Sequence, residues 1–432
     1  MEASSLNPKA ILASLVGNTL EYYDFCLYGT FSPIISQYFF PVGDQGISLA
    51  LFVYALAFIM RPLGALLFGY IGDKISRKKS LGVSLILMSF CTFSIALIPS
   101  YAEIGIFSSF LLVASRLGQG LCMGGEYGGS LVFAMEHNSN VKSLGFISGL
   151  IGSSTLLGCL LANFISFLSS SSIFFHEYWK IPFLLGGSIG IVGFWIRYKT
   201  EESPIFNQIK TMSINLENPI SSIFSQRLPE FIIASALAGL SGFASSFTVI
   251  YMNVYLISQL EWALSQSLLL ISFGLLISII ICPISSKICQ IYNPHYVLRI
   301  CLIGYILFAF PCMLLSSTSA VTNVTLAMCI LSILNGMSWG CSNYYVYTLF
   351  PPQGRYTSIA ISDSFGKILL SGPTPLLCNF IVGVTHSILS PAFYIIAIAI
   401  LVWLFIENSN RILIGRRYPA EKMHPLYSSG SC

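Results

Sequence analysis

Runs of about 20 mostly apolar residues, each able to cross roughly 30 Å of hydrocarbon, return twelve times along this chain. Nothing else in the sequence restricts its fold as much. The runs lie near residues 10–39, 47–71, 80–99, 103–134, 143–170, 180–198, 230–258, 264–284, 297–316, 321–349, 357–383 and 389–406. A backbone in hydrocarbon has no water to bond, so each crossing must satisfy its own N–H and C=O groups as a helix. The expectation is an all-α polytopic membrane protein of twelve transmembrane helices. Composition agrees: 55% of residues are hydrophobic and 9% charged, against about 25% charged in a soluble domain. The twelve cysteines are scattered without a Cys-x-x-Cys pair. They read as small core residues, not as disulfide or metal ligands.

The longest polar stretch, 199–229, carries Lys199, Glu201, Glu202, Lys210, Glu217 and Arg227. It sets six runs on either side: a first bundle (1–198), a central loop (199–229), a second bundle (230–406) and a tail (407–432). Of the 21 lysines and arginines, Arg61, Arg116 and Lys367 lie inside runs. With the first residues placed inside the cell, Lys180 alone of the others falls outside, so both termini are expected to be cytoplasmic. Met1 to Pro8 carries no cleavable-signal pattern, so the first run is expected to remain. The net charge of +4 therefore belongs to loops facing one side of a lipid bilayer, and nucleic acid is not an expected partner. Six plus six spans around a charged central loop suit a transporter whose site lies between two bundles near the midplane.

Between the second and third runs stands a compact basic turn. Gly69, Gly72, Asp73, Arg77 and Lys78 are expected to form a conformational gate there, its acid and cations clamping neighbouring helix ends. The plainer reading is a topology signal only. The corresponding turn of the second half, around Lys287, keeps a lysine and loses the acid and glycines.

Ionisable residues inside the bilayer are costly and are functional candidates by default. In the first run Gly17, Glu21, Asp24 and Tyr28 recur at helical spacing and share a face. Two carboxylates there cannot both ionise cheaply, so Glu21 and Asp24 are candidate proton carriers, unless one simply pairs with a buried arginine. In the fourth run Arg116 and Gln119 share a face, with Glu126 about 15 Å further along, at 1.5 Å per residue, towards the cytoplasm as a third candidate proton group. Arg116 needs an acidic partner, for which Glu21 or Asp24 are the nearest choices, or it holds a substrate carboxylate. Arg61, before Pro62, is either a cavity cation or a donor to carbonyls that the proline frees. Asp363 and Lys367 stand i, i+4, acid first, the better order for an ion pair. They lock packing, or they open to give a further cation for substrate. Tyr22, Tyr127, Tyr251, Asn253, Tyr255, Trp339, Asn343 and Tyr344 are candidates for lining a cavity.

These residues resemble the metabolite:proton symporter family of the major facilitator superfamily, whose members carry proline/betaine, 2-oxoglutarate, citrate and shikimate. The likeness includes Gly17-Asn18-x-x-Glu21-Tyr-Tyr-Asp24-Phe, Arg61-Pro62-x-Gly64, Gly69-x-x-Gly72-Asp73 and Arg116-x-x-Gln119-Gly120-x-x-x-Gly124-Gly125-Glu126. It continues in Trp179-Lys180-Ile-Pro182-Phe183, Glu202-Ser-Pro204-x-Phe206 and Leu349-Phe-Pro351 with Arg355-Tyr-Thr. Departures are Tyr22 for a usual tryptophan, Ser76 for a glycine, Lys180 for an arginine and Ser364 for an asparagine.

The resemblance implies the two-bundle major facilitator fold in a bacterial inner membrane, acting as a monomer. It implies uptake of a small carboxylate-bearing solute driven by the proton gradient, with no cofactor and no metal. Arg61, Arg116, Gln119, Tyr22, Asp363 and Lys367 are the expected substrate residues. Charge counting leans to an organic anion such as 2-oxoglutarate over a zwitterion such as proline or betaine. Rival readings are a proton-coupled drug or metabolite antiporter, a sugar carrier, and a non-transporting membrane sensor on the same fold. No metal-ligand cluster, nucleophile elbow or phosphate loop speaks for an enzyme.

Overall fold

The computed structural model describes residues 8–41, 46–138, 140–170, 179–211 and 227–414. Among these residues the chain forms helices and no strand. The long helices are α1 (Pro8–Thr30), α2 (Gly46–Lys74), α3 (Arg77–Leu97), α4 (Ile106–Glu136), α5 (Leu144–Ser170) and α6 (Lys180–Tyr198). Then come α7 (Leu228–Ser258), α8 (Leu264–Ile291), α9 (Pro294–Ser317), α10 (Val321–Leu349), α11 (Arg355–Thr385) and α12 (Pro391–Ile414). Eleven of them are long and apolar enough to cross a membrane. The twelfth, α1, has the length, and loses apolarity to Asn18, Glu21, Asp24 and its tyrosines. The polarity of the molecule is inverted relative to a water-soluble protein. Phe90, Phe107, Phe110 and Phe393 face outward, while Glu21, Asp24, Arg61, Arg116 and Lys367 are buried.

The helices pack as two groups of six. In the first, α1 lies against α5 and α6, α3 against α4 and α6, and α2 against α4. In the second, α7 lies against α10, α11 and α12, and α8 against α10. The groups meet where α5 packs on α8 and where α2 and α4 pack on α11. Small residues set these seams, because lipid supplies no hydrophobic drive and close backbone approach must do the work. A methyl group on Gly120 would overlap the Ala57 carbonyl, and one on Gly124 the Arg61 carbonyl. Thus α2 and α4 touch backbone to backbone, which carries Arg61 into the interior.

Boundaries differ from the sequence expectation chiefly at four places, one of them α8, which runs to Ile291, seven residues past its expected end. The first run stops at Thr30, and a separate helix, Ser32–Phe39, follows with Pro33 in its first turn, where a missing N–H costs nothing. The fourth begins at Ile106, after a short Tyr101–Ile104 turn and Gly105 at φ 60°, a conformation that glycine adopts freely. The last helix continues to Ile414. Residues 212–226 of the expected central loop, with Glu217, and 415–432 of the expected tail lie outside the described residues. The described part of that loop forms a short helix, Pro204–Thr211.

Candidate functional site

Three helices lose regular geometry at mid-length. α2 breaks at Met60, ahead of Arg61-Pro62, and α11 turns at Ser371-Gly372-Pro373. In α7, Ser246–Tyr251 is a π-helical stretch; such stretches often mark functional sites. All three breaks border one cavity between the two groups of helices. Tyr22, Arg61, Ser246, Trp339, Lys367 and Ser371 are among its walls. It offers about 30 Å³ to the centres of water molecules, room for one or two waters. Two polar contacts join the two groups of helices near it. Tyr54 Oη stands 3.5 Å from Ser246 Oγ, and Asn253 Nδ2 donates to the Thr30 carbonyl at 3.4 Å.

Two cations reach this cavity, and they are held differently. Lys367 Nζ lies 2.7 Å from Asp363 Oδ1 and donates to Tyr22 Oη at 2.9 Å. It also stands 4.2 Å from the Tyr127 ring centroid, 5.2 Å from Trp339 and 5.6 Å from Tyr22. Arg61 has no carboxylate within 4.0 Å among the described residues. Its guanidinium donates to Met123 Sδ at 3.6 Å and lies 4.9 Å from the Phe58 ring. Tyr22, Asp363 and Glu21, in that order, act on it electrostatically. Of the two readings left open for Arg61, the structure places it on the cavity wall.

The acidic partner expected for Arg116 is not there. Neither Glu21 nor Asp24 comes within 4.0 Å; Arg116 donates instead to Gln119 Oε1 at 2.6 Å. Its charge lies over Tyr28 and Phe25, at 4.2 and 4.5 Å from the ring centroids. A delocalised, weakly hydrated guanidinium is well suited to such ring faces. Gln119 in turn donates to Thr92 Oγ1 at 2.8 Å. Neither Arg116 nor Gln119 is among the cavity-lining residues.

The three candidate proton groups divide two against one. Glu126 is ion-paired with Arg197, close by hydrogen-bond geometry, and accepts from Ser84 and Ser130. Arg197 reaches it past α1 because residue 17 is glycine; any side chain there would overlap the guanidinium. The oxygens of Glu21 and Asp24 have no hydrogen-bond partner among the described residues. Asp24 lies beside Thr92, whose hydroxyl already donates to the Met88 carbonyl at 3.1 Å and accepts from Gln119. The carboxylate that acts on Glu21 is Glu126; Glu21 and Asp24, expected to repel one another, do not act on each other. The role of Arg197 was missed from sequence: it stands near the end of its run, where a basic residue reads as topology.

The basic turn is built into a junction of four segments. Asp73 Oδ2 accepts from Thr357 N and Oγ1 at 2.9 and 2.6 Å, and Arg77 stands 3.8 Å from Asp73. Arg77 also pairs with Glu136 at 2.5 Å and donates to the Pro352 carbonyl at 3.4 Å. Ser203 donates to Glu136 at 2.5 Å, and Ser76 to Glu202 at 2.5 Å. Gly69 and Gly72 face Thr357 and Tyr356; a methyl on Gly72 would come within 2.8 Å of the tyrosine ring. Lys78 stays on the outer side, its ammonium 5.2 Å from the Tyr198 ring. In this arrangement the turn closes α2 and α3 onto α11.

Of the aromatic and amide candidates, Tyr22, Tyr127 and Trp339 converge, with ring centroids 5.4 to 6.1 Å apart. Asn343 accepts from Tyr127 behind them. Tyr251, Asn253, Tyr255 and Tyr344 are not on the cavity wall. Sequence reasoning also missed Ser246 and Ser371, whose hydroxyls lie 2.8 Å apart across the cavity edge, and the pair Cys26–Cys159, with sulfurs 2.7 Å apart. No group of three or more His, Cys, Asp or Glu side chains fit to hold a metal occurs among the described residues.

The sequence profile of the Major Facilitator Superfamily matches residues 15–371. A glycine betaine/proline/ectoine/pipecolic acid transporter of Dickeya dadantii is 28% identical over 426 residues, covering 94% of this chain and 85% of that one. A proline/betaine transporter of Escherichia coli K12 is 26% identical over 426 residues with the same coverage. Among solved structures, the proton:xylose symporter XylE bound to a bromodeoxyglucose superposes with a TM-score of 0.73 at 17% identity, covering 94% of this chain and 96% of that one. The human organic anion transporter MFSD10 gives 0.67 at 14% identity, covering 92% and 99%. At these identities the solved structures speak for the fold.

Proposed function

The chain belongs to the major facilitator superfamily, and from that premise we propose that it is a proton-coupled symporter taking up a small zwitterionic solute by alternating access. The relatives named for glycine betaine and proline turn the weighing away from the organic anion that charge counting favoured. A zwitterion needs one cationic and one anionic or π-rich contact. Lys367, neutralised by Asp363, does not supply the cation. The observation that carries the reading is Arg61: a buried guanidinium on the cavity wall with no carboxylate within 4.0 Å among the described residues. A buried charge left in that state is costly, and a solute carboxylate relieves the cost.

Glu21 and Asp24 carry the proton in this reading. Neither has a hydrogen-bond donor, or a cation within 4.0 Å, among the described residues. An ionised carboxylate buried in that state would cost several kcal/mol, so we assign both as neutral acids in this arrangement. Water entering from one side solvates the carboxylate and takes the proton. Glu126, held by Arg197, serves to position α4 and α6. We place the basic turn, both termini and the central loop on the cytoplasmic side of a bacterial inner membrane. We take the single chain as the transporting unit.

Equilibrium binding of labelled glycine betaine, proline and 2-oxoglutarate to the purified protein tests the reading. The zwitterions should bind, and Arg61→Gln should weaken them at least tenfold while Arg61→Lys retains part of the affinity. Tighter binding of 2-oxoglutarate than of either zwitterion would overturn it.

A further inference from the structure

Tyr22 of α1, Tyr127 of α4 and Trp339 of α10 stand edge-on to one another, at interplanar angles of 76°, 85° and 77°. Three walls set in this way converge on one point, and the Lys367 ammonium occupies it. An aromatic cage with a carboxylate beside it is the usual receptor for a quaternary or secondary ammonium. Here the occupant belongs to the protein. We propose that this cage is the subsite for the cationic head of the solute, and that Lys367 is a tethered cation which fills it until the solute displaces it. The inference rests on the zwitterion reading above and names the groups that recognise the solute's positive end.

The bonding of Lys367 supports this role over that of an anion receptor. Of its three N–H groups, one meets Asp363 and one meets Tyr22, and the rings cover the rest. It has nothing left to offer a carboxylate. Arg61, on the same cavity, is a cation with no carboxylate within 4.0 Å among the described residues. The cavity thus has a filled cationic place and an unfilled anionic one, the complement of a zwitterion with its ammonium replaced.

Withdrawal of the lysine needs no new counter-ion. Asp363 is one turn away on the same helix and moves with it. The lysine stem runs along Gly242 of α7, where a methyl group would crowd Lys367 Cγ at 2.9 Å. Two walls of the cage come from the first group of helices, and the third wall and the lysine from the second. The cage therefore exists only when the groups are together, and a cation inside it, tethered or dissolved, favours closure. A tethered cation lets the carrier close while empty, as the return half of a transport cycle requires.

The test is calorimetric binding of three probes to the purified protein: glycine betaine, its carbon isostere 3,3-dimethylbutyrate, and tetramethylammonium. In Lys367→Met, with Lys367→Gln as a second removal of the charge, betaine and tetramethylammonium should bind about tenfold more tightly. The isostere should not gain. Adding Trp339→Leu should abolish the increase. Loss of betaine binding in both lysine variants, or a gain for the isostere, would overturn the inference while leaving the zwitterion reading standing. If neither wild type nor variants bind any of the three probes, both fall together.

Discussion

Thr357 gives its backbone N–H and its hydroxyl to the same oxygen of Asp73, at 2.9 and 2.6 Å, and so joins the start of α11 to the end of α2. Hydrogen bonds to a charged group contribute about 1.5–3 kcal/mol. Thr357→Val removes one of the two and should shift the closed–open equilibrium at this face roughly tenfold or more towards open. Spin labels at the exposed positions Ile75 and Gln353 should move apart in the variant. An unchanged distance distribution would show that the junction does not hold the gate.

Glu126 and Arg197 form a buried ion pair. Breaking such a pair from one side costs about 3–5 kcal/mol, whereas replacing both partners by apolar groups is often neutral. Thermal unfolding in detergent should show Glu126→Gln strongly destabilised and Glu126→Leu with Arg197→Met largely restored. A Glu126→Gln variant as stable as wild type would return Glu126 to the list of proton carriers.

Glu21 and Asp24 lack hydrogen-bond partners among the described residues and are assigned the proton. Asp24→Asn should abolish accumulation driven by a proton gradient and keep solute exchange across the membrane, since exchange needs no net proton movement. Glu21→Gln should do the same or reduce coupling partially. Loss of exchange together with accumulation in both variants would mean that these acids bind the solute.

Cys26 and Cys159 line the cavity with sulfurs 2.7 Å apart. A membrane-permeant maleimide should block uptake, bound solute should slow the block, and Cys26→Ser with Cys159→Ser should remove the protectable part. Equal sensitivity of that double variant would place the reactive thiol elsewhere.

The number of spans, the basic turn and the Asp363–Lys367 pair were legible because each is a local pattern along one segment. A hydrophobic run has a length, a turn has a composition, and an i, i+4 pair lies on one helix. The cage around Lys367 was not legible, since its rings come from α1, α4 and α10 and periodicity does not say which helices meet. Arg116 shows the limit from the other side. Sequence counted its charge and sought an opposite charge, whereas the fold surrounds it with Phe25, Tyr28 and Gln119. Glu126 looked equivalent to Glu21 until Arg197 was brought across at Gly17.

The central claim is tested most directly by uptake of labelled glycine betaine, proline, 2-oxoglutarate and citrate into proteoliposomes, with and without an inward proton gradient. The account predicts gradient-dependent accumulation of a zwitterion, lost in Arg61→Gln. Accumulation of 2-oxoglutarate or citrate alone would contradict the solute class. Uptake of none of the four, with efflux of a lipophilic cation on the same gradient, would contradict symport itself.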